Sequence, residues 1–249
     1  MTARAYLRIA AELIDRIEST QAQPIHDAAE IMADGVVRGG LVNLFGSGHS
    51  ILPVMDAFPR YGSFPAFRPL TDVRLSWFNV LGTGGVRELL WLERTEGYID
   101  NFLGNYPLAA GDTLVVYSHG GLNAAGIDAS LYAHQRGVPV IAVTSVANLD
   151  HNEPRHSSGR RLAEVADIVI DNCCRPEDAV VEIDSWGPPV AATSTLSTVA
   201  ITMALTAELA SSLVVRGVTL PTFVSPNDTR FGPDHNVEVF EEYRRRTRR

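Results

Sequence analysis

The chain has 249 residues, 45% of them hydrophobic, with a formal net charge of −8; that is enough for one large α/β domain with a sizeable core, and a second full domain would be crowded. The acidic balance argues against general nucleic-acid binding, and the basic run Arg244-Arg245-Arg246-Thr247-Arg248-Arg249 reads as a solvated end. All 21 residues in the Lys+Arg count are arginine, which excludes a lysine Schiff base, covalently held pyridoxal phosphate and a Walker-A phosphate loop.

In chain order, residues 3–18 and 25–37 have helical apolar spacing, with Pro24 opening the second segment. These N-terminal helices, within residues 1–38, are expected to cover a sheet or a partner subunit. An apolar strand then runs from Leu41 into the turn Gly46-Ser47-Gly48-His49-Ser50, and a helix is predicted to start near Ser50 and to end before Pro59. Glycines let the backbone approach a ligand, and the free N–H groups at a helix start attract an anion. A short strand is predicted near 70–73, followed by the glycine-rich Gly82-Thr83-Gly84-Gly85 and a helical or looped segment carrying Glu88, Glu93 and Glu96.

The strand 113–117 ends in a second turn of the same kind, Ser118-His119-Gly120-Gly121-Leu122-Asn123. A helix over 123–135, a stop at Gly137 and a strand over 138–144 complete a βαβ unit. Near-continuous apolar strands indicate a parallel sheet buried on both faces, so the predicted fold is a doubly wound α/β sheet flanked by helices. Ligands in such sheets bind beyond the carboxyl ends of the strands, where both glycine turns sit. A further strand is predicted at 166–170. The apolar stretch 196–215 contains Glu208 and many Ser and Thr residues, so it reads as a buried helix and not a membrane span. Residues 217–249 form a polar C-terminal segment of the same single domain, 1–249.

Together the two turns resemble the sugar isomerase (SIS) family of phosphosugar-binding domains, whose second turn reads Ser-x-Ser-Gly-x-Thr. Gly120 and Asn123 replace the second serine and the threonine, which shifts phosphate binding toward backbone N–H groups and the Asn123 amide. The passage from Ser157 through Leu162 to Ala166-Asp167 resembles the family as well, and the resemblance runs from about Gly40 to Leu213. It implies a sugar phosphate held by Ser118, His119, Gly120, Gly121 and Asn123, with Ser47, Gly48, His49 and Ser50 on the opposite turn. Ser194 and Thr195 resemble a hydroxyl-rich helix start in the family, and they would equally serve as an ordinary N-cap. The family habit of pairing implies a homodimer or higher homo-oligomer. A dinucleotide fingerprint fits less well, since Ile51 stands where its third glycine belongs and Asp72 comes later than the expected acidic residue. A purely structural turn is the plainer alternative.

Isomerisation and elimination of a phosphosugar both begin by removing the proton at carbon 2, which calls for a base. The segment from Gly84 to Gly97 resembles the N-acetylmuramic acid 6-phosphate etherases, SIS enzymes that cleave an ether by elimination. The resemblance makes Glu96 the catalytic match. If the segment is helical, Glu93 lies one turn away, where a like charge raises a carboxylate pKa; both are otherwise ordinary solvated carboxylates. Asp56-Ala57 keeps part of the etherases' other motif, but Phe58 stands near the place of its acid. His49 and His235 are the candidate proton carriers, the latter in the polar loop 226–236. His151, His156 and Glu153 have no third clear partner for a metal. The expectation is a lyase or dehydratase acting on an amino-sugar 6-phosphate such as N-acetylglucosamine 6-phosphate. An aldose-ketose isomerase or a sugar-phosphate sensor is the alternative, and no metal, cofactor, nucleic acid or membrane enters any of these readings. With only Cys173 and Cys174 and no visible signal peptide, a reducing cytoplasm is the expected location.

Overall fold

The computed structural model describes residues 2–76 and 85–248; Gly82-Thr83-Gly84 lies outside them. The first half of the chain runs α1 (Thr2–Val37), β1 (Val42–Gly46), α2 (Ile51–Ala57), β2 (Phe67–Leu70), α3 (Val86–Leu92), α4 (Tyr98–Leu103), β3 (Thr113–Tyr117) and α5 (Ala124–His134). The second half runs β4 (Val140–Thr144), α6 (Ala147–His151), α7 (Leu162–Val165), β5 (Ile168–Asp171), a hairpin of β6 (Ala179–Val181) and β7 (Val190–Ala192), α8 (Ser194–Val215) and α9 (His235–Thr247). Strands β1 to β5 form a parallel sheet in the order β2-β1-β3-β4-β5. The doubly wound α/β fold is therefore present.

Every residue of β1, β3 and β4 is buried, because helices cover both faces. Val42, Leu44, Val115, Tyr117, Ile141 and Val143 pack beneath α1, α2 and α8. The alternate residues Phe45, Leu114, Val116, Val140 and Ala142 pack beneath α4, α5 and α7. The period of two along each strand sends neighbouring side chains into opposite layers. By length and composition α8 could cross a membrane, but here its Ile201, Leu205 and Leu209 face the core and its Glu208 meets His26 of α1 at 2.7 Å.

Three expectations are corrected. The N-terminal segments form one helix that runs through Pro24; the missing hydrogen bond is offset by a continuous apolar stripe, with Leu13 and Ile17 before the proline and Ile25, Ala28, Ala29 and Met32 after it. The strand predicted near 70–73 lies at Phe67–Leu70, where Pro69 is tolerated because β2 is an edge strand. The basic run is not a solvated end as a whole. Its residues Arg244 to Thr247 belong to α9, whose Arg246 is buried and donates through Nη1 to the carbonyls of Val36 at 3.2 Å and Gly40 at 3.5 Å. The Val36 carbonyl also accepts Gly39 N–H at 3.0 Å, so the guanidinium adds a second donor where α1 ends.

Candidate functional site

Strands β1 and β3 are neighbours, with Gly46 level with Tyr117, so the two glycine turns leave the sheet side by side. Helix α2 then crosses to one face and α5 to the other. This is the topological switch point, where a doubly wound sheet opens a crevice beyond its carboxyl edge.

The first turn is tight. A Cβ on Gly46 would stand 2.2 Å from the carbonyl oxygen of Ser50, and Gly48 has φ of +58°, a left-handed conformation that suits glycine. Gly48 N–H donates to Leu75 O at 2.9 Å and Ser50 N–H to Ser47 O at 3.1 Å. Two of the turn's N–H groups are thus taken by backbone carbonyls, one of them from Leu75, and residues 48–50 form a 3-10 turn ahead of the short α2. The longer of the two helices that follow the turns is α5. Ser50 is half-buried and His49 is exposed at the mouth.

In the second turn Gly121 N–H donates to Ser118 Oγ at 3.2 Å, and Gly121 has φ of +62° with Thr144 Oγ1 only 2.8 Å from where a Cβ would sit. Among the described residues, chain neighbours aside, no atom lies within 4 Å of a Cβ at Gly120, so there is room for a side chain beside them. Asn123 is the N-cap residue of α5 but makes no side-chain bond to the helix; its side chain reaches Glu93.

Glu93 joins the turns. It follows the last residue of α3, its backbone carbonyl accepts Ala125 N–H at 3.0 Å, and its carboxylate accepts Ser47 Oγ at 2.9 Å and the Asn123 side chain. The residue is 6% exposed. Burial pushes its carboxyl pKa up, against the pull of Ser47, Arg94 and Asn123. A helix carrying both Glu93 and Glu96, with mutual repulsion, is not what raises it. Glu96 lies beyond α3, and Gly97 at φ of +78° turns the chain into α4.

Glu96 faces elsewhere. It accepts Ser157 N–H at 2.8 Å and the Ser157 hydroxyl, and these bonds, the hydroxyl's foremost, hold its carboxyl below the ordinary value. The carboxylate is 40% exposed. His119 turns its ring from the second turn toward Pro176 O, at 3.2 Å, and Asn172, at 3.3 Å. His235 opens α9, with Nε2 2.8 Å from Thr222 O and its ring against Phe231. The chain at Thr222 leads into Phe223, which pairs with Gly62 and Ser63 ahead of β2, at the amino edge of the sheet.

Ser194 is committed within the fold. Asp178, at φ of +63°, accepts Ser194 N–H at 2.7 Å, Ser194 Oγ at 2.6 Å and Thr193 N–H at 2.9 Å. Burial pushes the Asp178 carboxyl up, but these bonds outweigh it and the pKa is lowered. The start of α8 is therefore capped by an acid from the loop ahead of β6, which no local pattern announces; Thr195 beside it is half-buried. Among the described residues no three His, Cys, Asp or Glu side chains gather as a metal site.

The turn makes two opposed predictions. Ser118→Ala with Asn123→Ala is expected to weaken sugar-phosphate binding about 10- to 100-fold, since hydrogen bonds to a charged group contribute about 1.5–3 kcal/mol. Gly120→Ser places a hydroxyl in open space at the turn and is expected to tighten it about 3- to 10-fold. Calorimetric titration with a hexose 6-phosphate checks both, and unchanged affinity in the double variant removes the phosphate assignment.

A SIS domain family model matches residues 5–145. A UPF0309 protein of Oceanobacillus iheyensis is 36% identical over 233 residues, covering 94% of this chain and 93% of the relative. Another, from Streptomyces coelicolor, is 35% identical over 239 residues, with 96% and 93% covered. Among solved structures, the phosphoheptose isomerase of Neisseria gonorrhoeae matches with a TM-score of 0.55 at 18% identity, over 84% of this chain and 97% of its own. A phosphoheptose isomerase of Francisella tularensis matches with 0.54 at 16% identity, over 83% and 95%. At these identities the structural likeness is one of fold.

Proposed function

The chain belongs to the SIS family of phosphosugar-binding domains, and from that premise we propose that it is an enzyme acting on an amino-sugar 6-phosphate such as N-acetylglucosamine 6-phosphate. The phosphate is held by Ser118, Gly120, Gly121 and Asn123 at the start of α5, and Glu93 is the base. One observation carries this reading: a buried carboxyl of raised pKa tied to both turns, through Ser47 and Asn123. Raised carboxyl pKa values bring a base toward the working pH.

In the open-chain sugar the carbon-1 aldehyde acidifies the carbon-2 proton. Glu93 takes that proton, the electron pair left behind forms the carbon-2 to carbon-3 double bond, and the carbon-3 hydroxyl leaves as water by taking up the proton that Glu93 then releases. The second reading is aldose-ketose isomerisation, favoured by the same carboxyl, since one group can carry a proton from carbon 2 to carbon 1. A sensor without turnover is the third. Incubation with N-acetylglucosamine 6-phosphate and with simple hexose phosphates, followed by NMR, separates them: an unsaturated product supports elimination, a ketose isomerisation, and no product the sensor. The same reading takes residues 1–249 as one domain, working as a cytoplasmic homodimer or larger homo-oligomer. The groove between α1 and α8 lined by Ile14, Ile17, Ile25, Ala200 and Ala204 supports the self-association, and a monomer in sedimentation equilibrium would count against it.

A further inference from the structure

Behind the site, the segment between α6 and α7 touches both of its halves. Leu162 N–H donates to Gly121 O at 2.8 Å, which braces the second turn. Six residues earlier, His156 reaches the corner that carries Glu93. Its Nε2 is 2.9 Å from Asp128 Oδ1 and 3.6 Å from Glu96 Oε2. Asp128 Oδ2 accepts Gly97 N–H at 2.9 Å, and Glu96 accepts the N–H and hydroxyl of Ser157. The segment is itself held in shape, with Arg161 bonded to Asn152 O at 2.8 and 3.0 Å and to Glu164 at 2.9 Å.

The donor pattern around His156 fixes its tautomer. Ser158 N–H donates to Nδ1 at 3.1 Å, so Nε2 carries the proton that goes to Asp128. The imidazole side chain is 5% exposed, and its polar partners among the described residues are Ser158, Asp128 and Glu96. A Ser158-His156-Asp128 chain of hydrogen bonds has the order of a nucleophilic triad, but the backbone N–H groups beside it are spent: that of Gly159 on His156 O, that of Ser157 on Glu96 and that of Arg160 on Ser158 Oγ. Nothing there would stabilise an oxyanion.

We infer that His156 is a positioning residue for Glu93: through Asp128 it clasps the corner at Gly97 while Leu162, on the same segment, fixes the phosphate turn, so that base and anion site are held at a set distance. This rests on the reading of Glu93 as base. Misplacing a catalytic group by about an ångström costs on the order of 10²-fold in rate while leaving remote binding contacts in place. His156→Phe keeps a ring of similar bulk and removes the donor, whereas His156→Gln returns an N–H near the place of Nε2.

The test compares wild type with both variants as full chains. Carbon-2 deuterium exchange of N-acetylglucosamine 6-phosphate in heavy water is measured, with inorganic phosphate binding by calorimetry and the Glu93 titration by carbon-13 NMR assigned with Glu93→Gln. In His156→Phe the exchange rate is expected to fall at least about 10-fold with phosphate affinity unchanged, and the Glu93 titration to move down toward an ordinary carboxyl as the loosened corner admits water; His156→Gln restores both. A wild-type exchange rate or an unmoved Glu93 titration in His156→Phe overturns the inference, as does a parallel loss of phosphate affinity in both variants. If wild type itself shows no exchange, the base reading fails, and a Glu93 titration that moves in His156→Phe and returns in His156→Gln still supports the positioning role. Should His156→Phe not fold, Ser157→Ala, which removes a hydroxyl from the exposed Glu96, is read by the same titration.

Discussion

Glu93→Gln is expected to lose carbon-2 proton exchange by about 10²- to 10⁴-fold, the usual contribution of a general base, while sugar-phosphate binding persists and the fold becomes more stable at neutral pH. The amide keeps the shape and can still meet Ser47 and Asn123, so the turns stay joined; it cannot take a proton. The stability gain follows from the direction of the pKa. Burial raises the Glu93 carboxyl in the folded state, so its contribution to stability is full below the unfolded carboxyl value and is lost as pH rises through the folded one. Above that range the wild type carries a buried ion with incomplete compensation, and glutamine removes the charge. Calorimetric melting at pH 8 should place the variant a few degrees above wild type, with the gap closing near pH 4. A variant that melts lower at both pH values, or that exchanges the proton at the wild-type rate, would show Glu93 to be structural.

Gly46→Ala is expected to cost about 2–4 kcal/mol, the scale of an overpacked or strained position, and to weaken hexose 6-phosphate binding at least about 10-fold. The added methyl would meet Ser50 O at 2.2 Å, Ser50 C at 2.7 Å and Ile51 N at 3.3 Å. All three are backbone atoms, so no side chain can swing aside, and α2 must shift away from the strand. Ser47 moves with the turn and takes its hydroxyl from Glu93. For a chain of this length the melting temperature should drop by roughly 5–15 °C. Melting and calorimetric titration check the two effects, and a variant of wild-type stability would mean that the close approach at Gly46 is not a constraint.

What could be read from the residues follows from where the information sits. Strands β1, β3 and β4 are largely apolar runs that each follow a glycine, and burial on both faces leaves little else for such runs to be. The two turns announce themselves because close backbone approach requires glycine at Gly46 and Gly121. Glu93 and Glu96 are harder to tell apart, since both stand among the same letters, Glu-Arg-Thr-Glu. Which one points inward depends on α3 stopping at Leu92 and on a left-handed Gly97 redirecting the chain, and hydrophobic period carries neither. Helix α9 is polar around most of its surface, with Val239 and Arg246 its buried residues, so its place depends on partners far away in the chain. Asp178 capping α8, and His156 on Asp128, are contacts between distant segments with no local signature.

Arg246 has a consequence for the order in which the fold is completed. The carbonyl of Val36 is made 210 residues before the guanidinium that meets it. At about 5–20 residues per second of synthesis, that is a delay of roughly 10–40 s. Through this interval the junction between α1 and β1 holds without the guanidinium, by Gly40 N–H to Gly35 O, Gly39 N–H to Val36 O and Leu41 N–H to Asp112 Oδ1. Helix α1 is thus fully secured only after α9 has been made, 210 residues later.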